Sequence, residues 1–121
     1  MNLRTAKKLH DAKIASEKIL RYTSGRTLQE FLSDDYFQSA VERQFEVLAE
    51  ALKGAASLTP ELWDVFPELS QINGLRNRIA HSYDDLDFVA LWETVTDDIS
   101  PLLVRIDEAL ESVILPDDFY D

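Results

Sequence analysis

Apolar residues recurring every three or four positions constrain this chain more than anything else in it. Phe37, Ala40, Val41, Gln44, Leu48, Ala51, Leu52 and Ala55 mark one side of a helix of 3.6 residues per turn, with Glu42, Glu46, Glu50 and Lys53 on the opposite side. A second run follows the same rule through Phe88, Leu91, Trp92, Val95, Ile99, Leu102, Ile106, Ala109, Leu110 and Val113. Strands would need alternation instead, and three glycines with four prolines supply little of the turn chemistry of an all-β fold. The fold class expected is all-α, a bundle of four main helices with short additional helices.

The remaining elements follow from start and stop signals. Residues 3–22 read as the first helix, with Leu3, Ala6, His10 and Ile14 as its apolar stripe. His10 lies within that stripe and is expected as a packed core histidine rather than a ligand. Ser24-Gly25 ends the helix, because glycine accepts the left-handed geometry of a cap. Thr27 then caps a short turn through Phe31, and Ser33 or Asp34 caps a long helix over 34–55. Thr59 as cap with Pro60 in the first turn predicts a short helix, whose Trp63 and Phe66 would cover one end of the core. After Pro67 the spacing of Ile72, Leu75 and Ile79 predicts a helix from 68 to 81 or 83. Asp87 is the next expected cap, and Ser100-Pro101 predicts a kink or a restart in the last helical segment.

At 121 residues and 45% hydrophobic content, one modest core is within reach, so 1–115 is expected to be a single helical domain and 116–121 a frayed acidic tail. Cysteine is absent, which excludes disulfides and cysteine metal sites. No apolar run approaches the ~20 residues of a membrane span, and no apolar core follows the N-terminus. The expected location is cytoplasmic. The net charge of −11 is unevenly placed: residues 1–83 carry eleven basic and eleven acidic side chains, whereas residues 84–121 carry one and twelve. General attraction for long nucleic acid is therefore disfavoured, since affinity for phosphate comes from Lys and Arg. The first 26 residues are locally basic, with seven Lys/Arg against two acids. Lys7 and Lys8 there, with Arg78, are the expected contacts if RNA is the ligand.

The chemistry-bearing stretch is Arg76-Asn77-Arg78-Ile79-Ala80-His81-Ser82-Tyr83. On a helix, Asn77 and His81 share an exposed face one turn apart, and Arg76 with Tyr83 fall on an edge nearer the apolar stripe. Histidine exchanges protons near neutral pH, and arginine offers a planar fork suited to phosphate. Spacing alone leaves the bland alternative open, an ordinary solvated helix face. A metal site is disfavoured by the donor set. No Asp or Glu stands three residues before either histidine, the spacing used in di-iron bundles, and there are only two histidines. Metal-free cleavage of RNA suits the side chains better, with His81 moving protons, Arg76 opposing charge on the phosphorane and Asn77 holding the imidazole or a phosphate oxygen. One motif histidine per chain makes a homodimer attractive, because two motif faces would bring two imidazoles to one phosphate.

These eight residues resemble the Arg, four residues, His, one residue, Tyr signature of HepT-like toxins, a branch of the HEPN superfamily. The resemblance extends through Tyr22-Thr23, Leu28-Gln29-Glu30-Phe31-Leu32, Glu46-Val47-Leu48-Ala49-Glu50-Ala51, Phe66-Pro67-Glu68 and Leu91-Trp92-Glu93-Thr94-Val95, covering about residues 4 to 113. Ser82 departs from it, standing where many relatives have glycine, and so does the acidic tail. The resemblance implies a HEPN-type four-helix bundle and a dimeric, metal-independent endoribonuclease needing no cofactor. It implies catalytic roles for Arg76 and His81 and a supporting role for Asn77. It also implies that Tyr83 receives AMP groups from a partner nucleotidyltransferase antitoxin of the MntA kind, whose surface the acidic region after residue 83 would suit. Two other readings stay open from the sequence: a non-catalytic binding subunit of the nucleotidyltransferase, and a purely structural bundle dimer.

Overall fold

The computed structural model describes residues 1–82 and 85–113. Tyr83, Asp84 and residues 114–121, including the expected tail, lie outside the described residues.

Helix α1 spans Leu3–Thr23 and starts on Asn2, whose side chain accepts from the Thr5 amide at 2.8 Å. It stops at Ser24, and Gly25 follows with φ of 72°, the left-handed conformation expected of it. The buried side of α1 is not the stripe expected from the sequence. Ala6 and His10 are buried, but Leu3 and Ile14 are exposed, and Leu9, Ala12, Ala15 and Ile19 face the core instead. The reason is close helix packing. Helix α1 packs chiefly on α3, and the buried sides of both carry alanines (Ala12 and Ala15; Ala51, Ala55 and Ala56) whose small size allows close approach.

Thr27 opens α2 (Leu28–Ser33) with a reciprocal capping box: its hydroxyl oxygen accepts from the Glu30 amide, and the Glu30 carboxylate accepts from the Thr27 amide. The α2 helix delivers Phe31 to the core, where its ring lies 5.1 Å from Trp92 and 5.6 Å from Phe37, centroid to centroid. Asp34 caps α3 (Asp35–Leu58), which is longer than the 34–55 expected. Its buried side holds Phe37, Val41, Phe45, Leu48, Ala49, Ala51, Leu52 and Ala55, whereas Ala40 is exposed and Gln44 only half-buried.

Thr59 does not cap the short helix that follows. It closes α3, sharing a hydrogen bond of 2.7 Å with the Thr5 hydroxyl, and α4 (Leu62–Val65) begins after Glu61 without a side-chain cap. Phe66 seals the core as expected, but Trp63 remains 44% exposed. Helix α5 (Leu69–Ser82) buries Leu69, Ile72, Leu75 and Ile79. Its start is tied to the last helix by an ion pair between the buried Glu68 and Arg105.

Helix α6 (Asp85–Asp97) already includes Asp87, which pairs with Arg78 rather than acting as a cap. Pro101 marks a restart. The chain breaks at Asp98, without a side-chain cap, and α7 (Ile99–Glu111) carries Pro101 in its first turn, where the missing N–H needs no acceptor. Helix α3 lies between α1 and α5, α6 leans on α5 and α1, and α7 completes the ring against α1. The described residues form an all-α bundle of the HEPN type around one continuous core. Among them, no helix is long and apolar enough to cross a membrane.

Candidate functional site

The motif helix α5 is held on its apolar side by Ile72, Leu75 and Ile79, so its remaining positions are set by the helical turn of about 100°. Asn77 and His81 point away from the core and are exposed. His81 lies in the last turn of α5.

Arg76 and Arg78, two residues apart, leave the helix on opposite flanks. Arg76 leans toward α3, where its Nη2 donates to Glu50 Oε1 at 2.5 Å. Its side chain is 24% exposed against 60% for Glu50. Arg78 leans toward α6, where its Nε donates to Asp87 Oδ1 at 3.3 Å. The motif therefore presents one guanidinium on each side of the Asn77–His81 face.

On the Arg76 side a cleft of about 210 Å³ separates α3 from α5, lined by Glu42, Phe45, Glu46, Arg76, Ile79 and Ala80. Burial pushes the Glu42 carboxyl above its usual range, and the neighbouring charge of Glu46 adds to this. A larger groove of about 510 Å³ lies on the far side, between α1 and α3, and shares Glu46 and Glu50 as a wall with the Arg76 flank.

The residues expected to contact RNA are thus divided. Lys8 lies in the larger groove, its aliphatic chain stretched across Gly54, where an added Cβ would come within 2.7 Å of the Lys8 Cδ. Lys7 pairs with Asp11 at 2.8 Å along the outside of α1, and Arg78 is on the α6 flank. Lys8 lines the groove between α1 and α3, whereas Arg78 lines a separate cleft between α5 and α6. Tyr83, the expected modification site, lies outside the described residues. Among the described residues, no group of three or more His, Asp or Glu side chains is disposed to hold a metal ion.

Glu42, Glu46 and Glu50 are the part of the site that sequence reasoning missed. Their spacing of four residues was visible, but it reads as a solvated helix face until α5 is packed beside it. The profile of the family described as Ribonuclease HepT-like matches residues 12–109, the greater part of the chain, motif helix included. The chain belongs to the HepT-like ribonuclease family. "Probable ribonuclease HepT" of Thermococcus cleftensis is 31% identical to this HepT-like chain over 96 residues, covering 78% of the chain and 84% of that relative. "Putative RNase MJ1216" of Methanocaldococcus jannaschii is 22% identical over 107 residues, covering 87% of the chain and 86% of the relative. "Putative RNase TTE0752" of Caldanaerobacter subterraneus is 25% identical over 95 residues, covering 78% and 84%. No solved structure is significantly similar to this HepT-like chain.

Proposed function

We propose that this HepT-like protein is a metal-independent endoribonuclease, the toxin of a HEPN/nucleotidyltransferase pair, working as a homodimer. The observation that supports it best is the arrangement on α5. An exposed imidazole and amide one turn apart are flanked by a guanidinium that a carboxylate of a different helix holds in place.

Two motif faces meeting across a two-fold axis supply two His81 side chains to one scissile phosphate. One imidazole takes the proton from the 2′-hydroxyl as its oxygen attacks phosphorus. The other gives a proton to the departing 5′-oxygen, so the products are a 2′,3′-cyclic phosphate and a free 5′-hydroxyl. Arg76 opposes the negative charge that grows on the non-bridging oxygens, and Asn77 holds an imidazole or a phosphate oxygen. Lys8 and Arg78, on opposite flanks, are left to contact phosphates distant from the cut, and Lys7 contributes at most through general charge.

Control would come through Tyr83, two residues after His81. AMP groups placed on its phenol by an MntA-like antitoxin add negative charge and bulk where an RNA phosphate must sit. The acidic residues after the motif suit a basic face on that partner, and complex formation should weaken as salt rises.

A second reading, a non-catalytic binding subunit of the nucleotidyltransferase, is favoured by one observation. The Arg76 cleft is walled by Glu42 and Glu46, with Glu50 bonded to Arg76 itself, and this surround repels phosphate. Cleavage of end-labelled RNA in excess chelator separates the two. The nuclease reading expects cutting by the wild-type protein with cyclic-phosphate ends, and a loss of roughly 10²–10⁴-fold in His81→Ala. Intact RNA across varied sequences, with the Tyr83 peptide shown by mass to carry no AMP, would leave the binding-subunit reading in its place.

A further inference from the structure

Resting on the nuclease reading, we propose that Glu50 is the positioning residue of the Arg76 guanidinium. The bond between them joins α5 to α3 across 26 residues of sequence. It is charge-assisted, the stronger class of hydrogen bond.

A guanidinium carries five N–H donors in one rigid plane. Glu50 accepts a hydrogen bond from Nη2, at one end of that plane, which anchors that end and leaves the remaining donors for phosphate oxygens. The long arginine side chain would otherwise sample many rotamers at the mouth of the cleft. Glu42 and Glu46 line the same cleft, but among the described residues Glu50 is the carboxylate that Arg76 pairs with.

The geometry also admits an opposite role, in which Glu50 withholds the guanidinium from phosphate. Two features count against it. The Arg76 side chain keeps 24% of its surface exposed while paired, so the bond to Glu50 leaves part of it open to a phosphate. Ile79 and Ala80, on the same edge of α5, line the cleft beside it, so the guanidinium already stands at the cleft mouth.

The test compares wild type, Glu50→Ala, Glu50→Gln and Arg76→Ala in the full chain. Steady-state RNA cleavage is measured beside the ¹⁵N resonances of the Arg76 guanidinium and the melting temperature. A held guanidinium gives separate, slowly exchanging Nη signals, which should merge in Glu50→Ala. In that variant kcat should fall roughly ten- to hundredfold, the scale of a misplaced catalytic group. KM should stay level or drop, because a carboxylate near the RNA has gone, and the melting temperature should hold. Glu50→Gln keeps an acceptor oxygen at the same place and should recover most of the rate.

Wild-type or higher kcat in Glu50→Ala, alongside an inactive Arg76→Ala, overturns the positioning role while the nuclease reading stands. A raised KM with a lowered melting temperature and unchanged kcat also overturns it, in favour of a structural tie. Failure of the unmodified wild type to cut any RNA overturns the nuclease reading and this role with it, even if the Nη signals show the bridge intact.

Discussion

At the scale of single residues, charge around the motif helix is organised by partners distant in sequence. Arg76 meets Glu50 and Arg78 meets Asp87, so two guanidiniums that look like one basic patch in the sequence are drawn apart. The outward placement of Asn77 and His81 was legible, because helical phase alone sets it once Ile72, Leu75 and Ile79 are buried. The pairing of the arginines was not, since nothing local predicts which carboxylate a neighbouring helix will offer. Glu42 yields a prediction here. Burial raises its folded-state pKa above the ordinary 4.5, so ionisation disfavours the fold. Its favourable contribution is present below the unfolded value and is lost as pH rises through the raised folded one. Glu42→Gln should therefore be more stable than wild type at pH 7, with the gap closing near pH 4. Urea titrations at both pH values check this, and a gap independent of pH would assign the effect to packing.

At the scale of elements, the starts of α2 and α3 were the most legible features, the caps expected at Thr59 and Asp87 were not, and the first helix was the least legible. Thr27 with Glu30 and Asp34 with Phe37 are local capping bonds, written in residues three apart. Removing the first, Thr27→Ala, should cost about 1 kcal/mol in urea unfolding. The stripe of α1 was misread in phase: it was run through Leu3 and Ile14, which are exposed, whereas Leu9, Ala12, Ala15 and Ile19 carry the buried side, two of them alanines that hydropathy barely marks. Close packing rewards small size, which hydropathy does not report. Gly54 marks the same contact. Alanine there gains up to about 1 kcal/mol of helix propensity, but the new methyl meets the Lys8 chain. Gly54→Ala should consequently stabilise the protein more in a Lys8→Ala background than in wild type. A double-mutant cycle reads that difference directly, and strict additivity would mean the lysine moves aside freely.

At the scale of the whole molecule, the bundle was legible from periodicity, and the choice between kink and restart at Pro101 was not. It depended on Asp98 breaking the helix, which the apolar spacing runs straight through. One end of the core is an aromatic cluster that no single segment announces: Phe31, Phe37, Phe88 and Trp92 come from α2, α3 and α6. The Arg26 guanidinium lies over the Phe37 ring at 3.9 Å. Phe31 has no exposed surface, so Phe31→Ala should cost about 3–5 kcal/mol, a large part of the 5–15 kcal/mol typical of a domain. Denaturant unfolding would show it as a lower midpoint with little change in slope.

The ring order of the helices also bears on synthesis. Helix α1 leaves the ribosome well before α7, yet part of its partner surface is α7, and Glu68 at the start of the motif helix waits for Arg105 on that same α7. A nascent chain lacking residues 99–111 has neither the closed core nor the tether at the start of α5.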